Sequence, residues 1–183
     1  MAAHDTKLSK FLSYVLRHHP QKDGLELEPG GWVKVDDLLA AARRAGFALT
    51  LKRLQELIEQ SDKPRFSLSA DGRRIRANYG HSVPVDLKLV PEPPPERLYH
   101  GTATRFLESI RRQGLLSRNR QFVHLSENPE AALQVGRRHG SPVILTIHAG
   151  QMHQRGHGFY HPAGGIWLTK HVPPEFIDVP PSK

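Results

Sequence analysis

Val90-Pro91-Glu92-Pro93-Pro94-Pro95-Glu96 is the stretch from which the organisation of the chain is read. Proline has no amide hydrogen to donate and holds its backbone near polyproline II, so this segment fits neither a regular helix nor a central strand. It predicts a boundary, with a lobe over 1–90, a Pro-rich linker over 91–97 and a second lobe over 98–183.

On the N-terminal side of the boundary, Arg65 to Ser69, Asp71-Gly72 and Arg73 to Asn78 read as two strands joined by a tight turn. Before them, Thr50 is placed to cap a helix carrying Leu51, Leu54, Leu57 and Ile58 on one face, and Asp36 to cap one carrying Leu38, Leu39, Ala42 and Ala45. Gly31-Trp32-Val33-Lys34-Val35 alternates and is β-branched, as a strand should be. Leu8, Phe11, Leu12, Val15 and Leu16 form the stripe of a helix that Pro20 stops. Helix, strand, helix, helix, hairpin is the order of a winged helix, the hairpin being the wing. The third helix is not strongly basic, because Glu56 and Glu59 offset Lys52 and Arg53; the positive charge lies on the hairpin, at Arg65, Arg73, Arg74 and Arg76. From this segment alone those arginines fit phosphate contacts and a solvated hairpin face equally. Arg17 and His18, in the last turn of the first helix, read first as cations favoured by the helix dipole.

On the C-terminal side, Arg97-Leu98-Tyr99-His100-Gly101 reads as a strand ending in a turn, Phe106, Leu107 and Ile110 as a helix face closed by Gly114, and Phe122 to Ser126 as a second strand. Pro129 opens a helix with Ala131, Ala132, Leu133 and Val135; Pro142 to Ile147 and Gly165 to Thr169 are further strands. Short strands with intervening helices and many glycines predict an α+β half without the long crossovers of a Rossmann sheet. His100 and His124 each stand near a strand end before small or hydroxylated residues, where backbone can approach a ligand and an imidazole can hydrogen-bond it. Two satisfied core histidines would look the same in sequence.

Composition bounds the chemistry. Lys and Arg number 26 against 18 Asp and Glu, a formal charge of +8 over 183 residues, which favours a phosphate-rich partner and fits equally a basic protein kept soluble by its charge. With no Cys, disulfides, thiolate catalysis and Cys-ligated zinc are excluded. The segment from Met1 to Lys10 lacks an apolar signal core and no run approaches the ~20 apolar residues of a membrane span, so a soluble, cytoplasmic protein is expected. The P-loop, the dinucleotide glycine fingerprint and the GxSxG elbow are absent. His153, His157 and His161 recur every fourth residue, but Gly156, Gly158 and Pro162 argue against one helix carrying them, and no metal site is expected.

Taken in order, Leu16-Arg17-His18-His19-Pro20, Ser61-Asp62-Lys63-Pro64-Arg65-Phe66, Ile75-Arg76-Ala77, Gly80-His81-Ser82, Tyr99-His100-Gly101-Thr102, Val123-His124-Leu125-Ser126, Val135-Gly136-Arg137-Arg138-His139-Gly140 and Gly165-Ile166-Trp167-Leu168-Thr169 resemble the RNA 2′-phosphotransferase (KptA) family, from about Lys7 to about Phe176. The resemblance implies an α+β protein with an N-terminal winged-helix lobe that helps bind RNA. The implied C-terminal lobe is ADP-ribosyltransferase-like, has short split sheets and holds NAD+. The implied reaction has two steps. An internal RNA 2′-phosphate attacks the anomeric carbon of the nicotinamide ribose and expels nicotinamide; the ribose 2″-hydroxyl then attacks that phosphorus, leaving 2′-hydroxyl RNA and ADP-ribose 1″,2″-cyclic phosphate.

The family's Arg-His-Arg-Arg tetrad maps onto Arg17, His18, Arg65 and Arg138, with Arg138 taken over Arg137 because it directly precedes His139-Gly140. The arginines would stabilise phosphate charge, and His18 would serve as general acid or base. NAD+ contacts are implied at His100, Gly101, Thr102, His124, Leu125, Ser126 and Ile166, and RNA contacts at Arg73, Arg74, Arg76, His81 and Ser82. Ile166 stands where many protein-modifying relatives carry Glu, which suits a nucleophile that is already an anion. Tyr79 stands where many relatives have a polar amide, which touches the loop's RNA contacts rather than the chemistry. RNA, with a tRNA splicing intermediate as one candidate, is the implied partner, with no metal and no obligate protein partner. The alternatives are a transferase that stops at ADP-ribosylation of a terminal nucleic-acid phosphate and a non-catalytic winged-helix module.

Overall fold

The computed structural model describes residues 3–61 and 64–180, so Asp62 and Lys63 of the motif around Arg65 lie outside the described residues. The fold is α+β, with short antiparallel sheets. It divides into two compact units, 1–88 and 89–183, each with its own apolar core.

In the first unit, α1 (Ala3–Arg17), α2 (Val35–Arg44) and α3 (Leu51–Glu59) surround the small sheet of β1 (Trp32–Lys34), β2 (Phe66–Leu68) and β3 (Arg74–Ala77). The α1 stripe buries Leu8, Leu12, Val15 and Leu16 against Leu38, Ala41, Leu54 and the inward residues Val33, Phe66, Ile75 and Ala77. Each large side chain so buried contributes roughly 1.5–3 kcal/mol, which is what fixes α1 and hence the position of its last residue, Arg17. Thr50 caps α3, its hydroxyl accepting from the Arg53 amide at 3.2 Å. Asp36 does not cap α2. That helix starts two residues earlier than such a cap requires, after an extended Lys34 that makes no side-chain cap, and Asp36 and Asp37 instead place negative charge in its first turn, where the dipole favours it. The central strand β3 pairs antiparallel with both neighbours. Ile75 and Ala77 face the core, while Arg74 and Arg76 share the other face with Lys34 and Trp32 directly opposite.

The second unit is built on a six-stranded antiparallel sheet. Its strands are β4 (Leu98–Ala103), β6 (Val123–Ser126), β7 (Pro142–Ile147), β8 (Phe159–Tyr160), β9 (Ile166–Thr169) and β11 (Ile177–Asp178), in the order β11-β7-β4-β6-β9-β8. β5 (Leu115–Leu116) and β10 (His171–Val172) form a separate pair. The helices are α4 (Leu107–Gln113), α5 (Pro129–Gly136) and α6 (Ala149–Gln154). Asn128 caps α5 through its side-chain oxygen and the Ala131 amide (2.9 Å), with Pro129 at the first position.

β4 does not end at Gly101; it runs on to Ala103. Gly101 serves close packing rather than a turn, because a Cβ there would overlap the Ala132 carbonyl oxygen of α5, and one at Gly136 would lie 2.6 Å from the Thr102 carbonyl oxygen. The Pro-rich segment lies along β8, Pro91 bridging to Tyr160 and the Glu92 amide donating to the Phe159 carbonyl at 2.9 Å. Among the described residues no helix is long and apolar enough to cross a membrane.

Candidate active site

The end of α1 is where the first unit gathers its sequence motifs. Helix carbonyls in the last turn lack intrahelical donors, and here the loop after β3 supplies them: the amides of Ser82 and Val83 donate to the Arg17 carbonyl at 3.0 and 3.4 Å. Leu16-Arg17-His18-His19-Pro20 is thereby tied to Gly80-His81-Ser82, and the His18 Nδ1 and Ser82 hydroxyl share a hydrogen bond of 2.9 Å. Gly80 has φ +88°, and a Cβ there would sit 3.4 Å from Arg17 Nη1, so a side chain would be strained in itself and would press on the guanidinium. The Arg17 guanidinium lies 5.0 Å from the ring centre of Tyr79 and 5.7 Å from that of Phe66, contacts that orient a cation without neutralising it. Tyr79, a departure from the family pattern, thus has a physical task.

His81 is buried, at 2% exposure, and neither ring nitrogen has a hydrogen-bond partner among the described residues. Burial, reinforced by the charges of Arg17, His18 and Arg76, pushes its pKa down to about 4. It is a neutral imidazole beside two guanidinium cations, Arg17 and Arg76, and the His18 ring. Arg76 stacks over the Trp32 indole at 4.7 Å. The other hairpin arginines are disposed differently. Arg74 is ion-paired with Glu28 at 3.7 Å, and Arg73 is exposed at the turn, where its amide is taken by the Asp71 carboxylate. Arg65 precedes β2, half-buried, with Nη1 3.4 Å from the Ser61 hydroxyl; its carbonyl accepts from the Asn78 amide, and the Asn78 side chain bonds Pro64 and Ser67. Asn78 and Trp32 carry no signal as site residues in the sequence, and Tyr79 stands out there only as a departure from the family pattern.

In the second unit, His100 and His124 come together. A carbonyl oxygen only accepts, so His100 Nδ1–H donates to the His124 carbonyl (3.0 Å), which fixes the tautomer with Nε2 as an acceptor. Burial lowers the His100 pKa; the carbonyl contact opposes the shift, and His139 and Arg120 add to it. His139 and Arg120 therefore lie close enough to act on this ring. On β6 and β9, His124 and Ser126 face Leu168 and Ile166 across the ladder. Leu125 points the other way, into the core. Ser126 Oγ accepts from the Asn128 amide. Gly101 and Thr102 lie against α5, with Thr102 buried. Arg138 is exposed in the single turn that follows α5, flanked by Arg137 and His139. The spaced histidines go to three places: His153 at the end of α6, His157 edge-on to Phe176, and His161 stacked flat on Trp167 at 4.4 Å.

A model of the RNA 2′-phosphotransferase, Tpt1/KptA family matches residues 3–171. The chain belongs to this family. A probable RNA 2′-phosphotransferase of Pectobacterium carotovorum subsp. carotovorum is 51% identical over 175 residues, covering 95% of this chain and 94% of that protein. Those of Agrobacterium fabrum (95% of this chain, 94% of that protein) and Pseudomonas aeruginosa strain PAO1 (92% and 93%) are each 54% identical. With relatives of that name about 50% identical over most of the chain, it is a transferase of this family.

Proposed function

We propose that the protein removes an internal RNA 2′-phosphate by transferring it to NAD+, releasing nicotinamide, 2′-hydroxyl RNA and ADP-ribose 1″,2″-cyclic phosphate. In this reading the first unit is a winged-helix lobe that binds RNA and the second an ADP-ribosyltransferase-like lobe that holds NAD+. The observation that carries the reading is the gathering of Arg17, His18 and Arg76 around the buried His81 in a chain of this family. Cations pre-oriented by rings and a pinned loop suit a phosphate dianion, whose charge spreads over its oxygens as transfer proceeds.

Arg17 and Arg65 are the first unit's arginines for the phosphate oxygens, and Arg138 is the second unit's. His18, held by Ser82, moves the proton that must leave the 2″-hydroxyl as it attacks and must reach the RNA 2′-oxygen as its bond to phosphorus breaks. The second unit fits a dinucleotide by its chemistry: His100 presents a neutral Nε2 acceptor, and Arg120 supplies positive charge for a pyrophosphate. NAD+ supplies an anomeric carbon with a good leaving group and then its neighbouring hydroxyl. Ile166 puts no carboxylate beside that carbon, which suits an acceptor that is itself anionic.

Incubation with NAD+ and an RNA carrying one internal 2′-phosphate, followed by separation of RNA and nucleotide products, tests the reading. It predicts 2′-hydroxyl RNA with cyclic phosphate ADP-ribose. Accumulated ADP-ribosylated RNA would instead indicate a transferase that stops after one step, and unchanged RNA would remove the proposal. Arg65→Ala should lower turnover by at least ~100-fold with an unchanged melting temperature, since Arg65 has few internal contacts. Near-normal turnover would take Arg65 out of the site.

A further inference from the structure

Arg76 differs from its hairpin neighbours in having a guanidinium that is held in place but not neutralised. It lies on the sheet face away from Ile75 and Ala77, opposite Trp32 in register, with its charge over the indole. Among the described residues it forms no ion pair, and its Nε is buried without a hydrogen bond. The nearby carboxylate of Glu28 pairs with Arg74 instead. A half-buried cation without an anion is costly to maintain, and a guanidinium stacked on an aromatic face is pre-organised to meet one. Arg76 also shares its surroundings with the proposed phosphate centre, since Arg76, Arg17 and His18 act together on His81. The Gly30-Gly31 turn passes beside both residues: a Cβ at Gly30 would be 3.9 Å from Arg76 Nη1, and one at Gly31 3.6 Å from His81 Nε2.

We propose that Arg76 binds the RNA backbone phosphodiester next to the 2′-phosphate, and so selects phosphates within a strand over phosphates at its end. The inference rests on the function proposed above. An internal 2′-phosphate always shares its ribose with a 3′,5′-phosphodiester, so the substrate presents two anions on neighbouring oxygens. A nucleotide with a 2′-phosphate and a free 3′-hydroxyl presents one. Arg17 and His18 serve the phosphate that moves, and Arg76 is the further cation of the same unit for the one that stays. Such a contact positions the strand and carries no base preference.

The test compares wild type, Arg76→Gln and Arg76→Lys on two oligoribonucleotides of the same sequence, one with an internal 2′-phosphate and one with a 3′-terminal 2′-phosphate and a free 3′-hydroxyl. Turnover is measured with NAD+, and binding of both RNAs is measured without it, by fluorescence anisotropy. Arg76→Gln should lower the internal-to-terminal ratio of kcat/KM at least tenfold, through KM, and should lower the ratio of affinities likewise. Arg76→Lys, which keeps charge but loses the fork, should fall between. Equal losses on both RNAs would overturn the proposal by placing Arg76 on the transferred phosphate, and unchanged ratios would overturn it outright. If Arg76→Gln fails to fold, the ratio for Arg76→Lys decides. If wild type turns over neither RNA, the function proposed above fails, while the binding ratios still decide the role of Arg76.

Discussion

His81 shows how much a single side chain in this protein depends on its surroundings. Its folded pKa of about 4 lies below the 6.5 of an exposed histidine, so between these values the unfolded chain holds a proton that the folded chain refuses. The stability of the first unit should therefore be complete above pH 6.5 and fall as pH drops toward 4, by roughly 3 kcal/mol for this group. Urea unfolding of wild type and His81→Gln at pH 7.5 and pH 4.5 checks this: the variant should lose less on acidification. An identical loss in both proteins would assign the acid sensitivity to other groups. From sequence, His81 reads as an RNA contact in a Gly-His-Ser loop. That the loop folds back onto α1 and buries the ring is a long-range event, set by its amides finding the Arg17 carbonyl, and no local pattern carries it.

At the scale of elements, the joint between β4 and α5 is the most demanding in the second unit. Gly101 and Gly136 let strand and helix backbones touch, and α5 in turn delivers Arg138 and His139. Gly101→Ala should destabilise this unit by more than about 3 kcal/mol, because backbone cannot retreat as a side chain can, and should lower its melting temperature by roughly 10 °C or more. A melting temperature within error of wild type would show that the joint yields easily. Gly101 is also where sequence reading of the element was misled: a glycine after an apolar run signals a turn as readily as a close approach, and only the partner helix distinguishes them. The long periodic helices and the hairpin were legible because their apolar spacing or turn chemistry is local. The two-residue strands β5, β8, β10 and β11 were not, since two residues carry no period. Asp36 failed as a cap for a similar reason, because a boundary shift of two residues turns a cap into a first-turn charge.

At the scale of the whole molecule, what the sequence disclosed of the site came from ordered motifs rather than from charge. Basic residues alone read Arg17 and His18 first as helix-end cations, and leave the four hairpin arginines indistinguishable. The structure separates these arginines by their partners: Arg74 is neutralised by Glu28, Arg73 is exposed at the turn, Arg65 rests near Ser61, and Arg76 is stacked on Trp32 with no ion pair among the described residues. The central claim is that the phosphate leaves RNA only by passing to NAD+. The most direct measurement counts nicotinamide released against 2′-phosphate lost from an internally phosphorylated RNA, with and without NAD+. The account predicts one nicotinamide for each phosphate removed and no loss of phosphate when NAD+ is omitted. Phosphate released as the inorganic ion, with no nicotinamide formed, would contradict it.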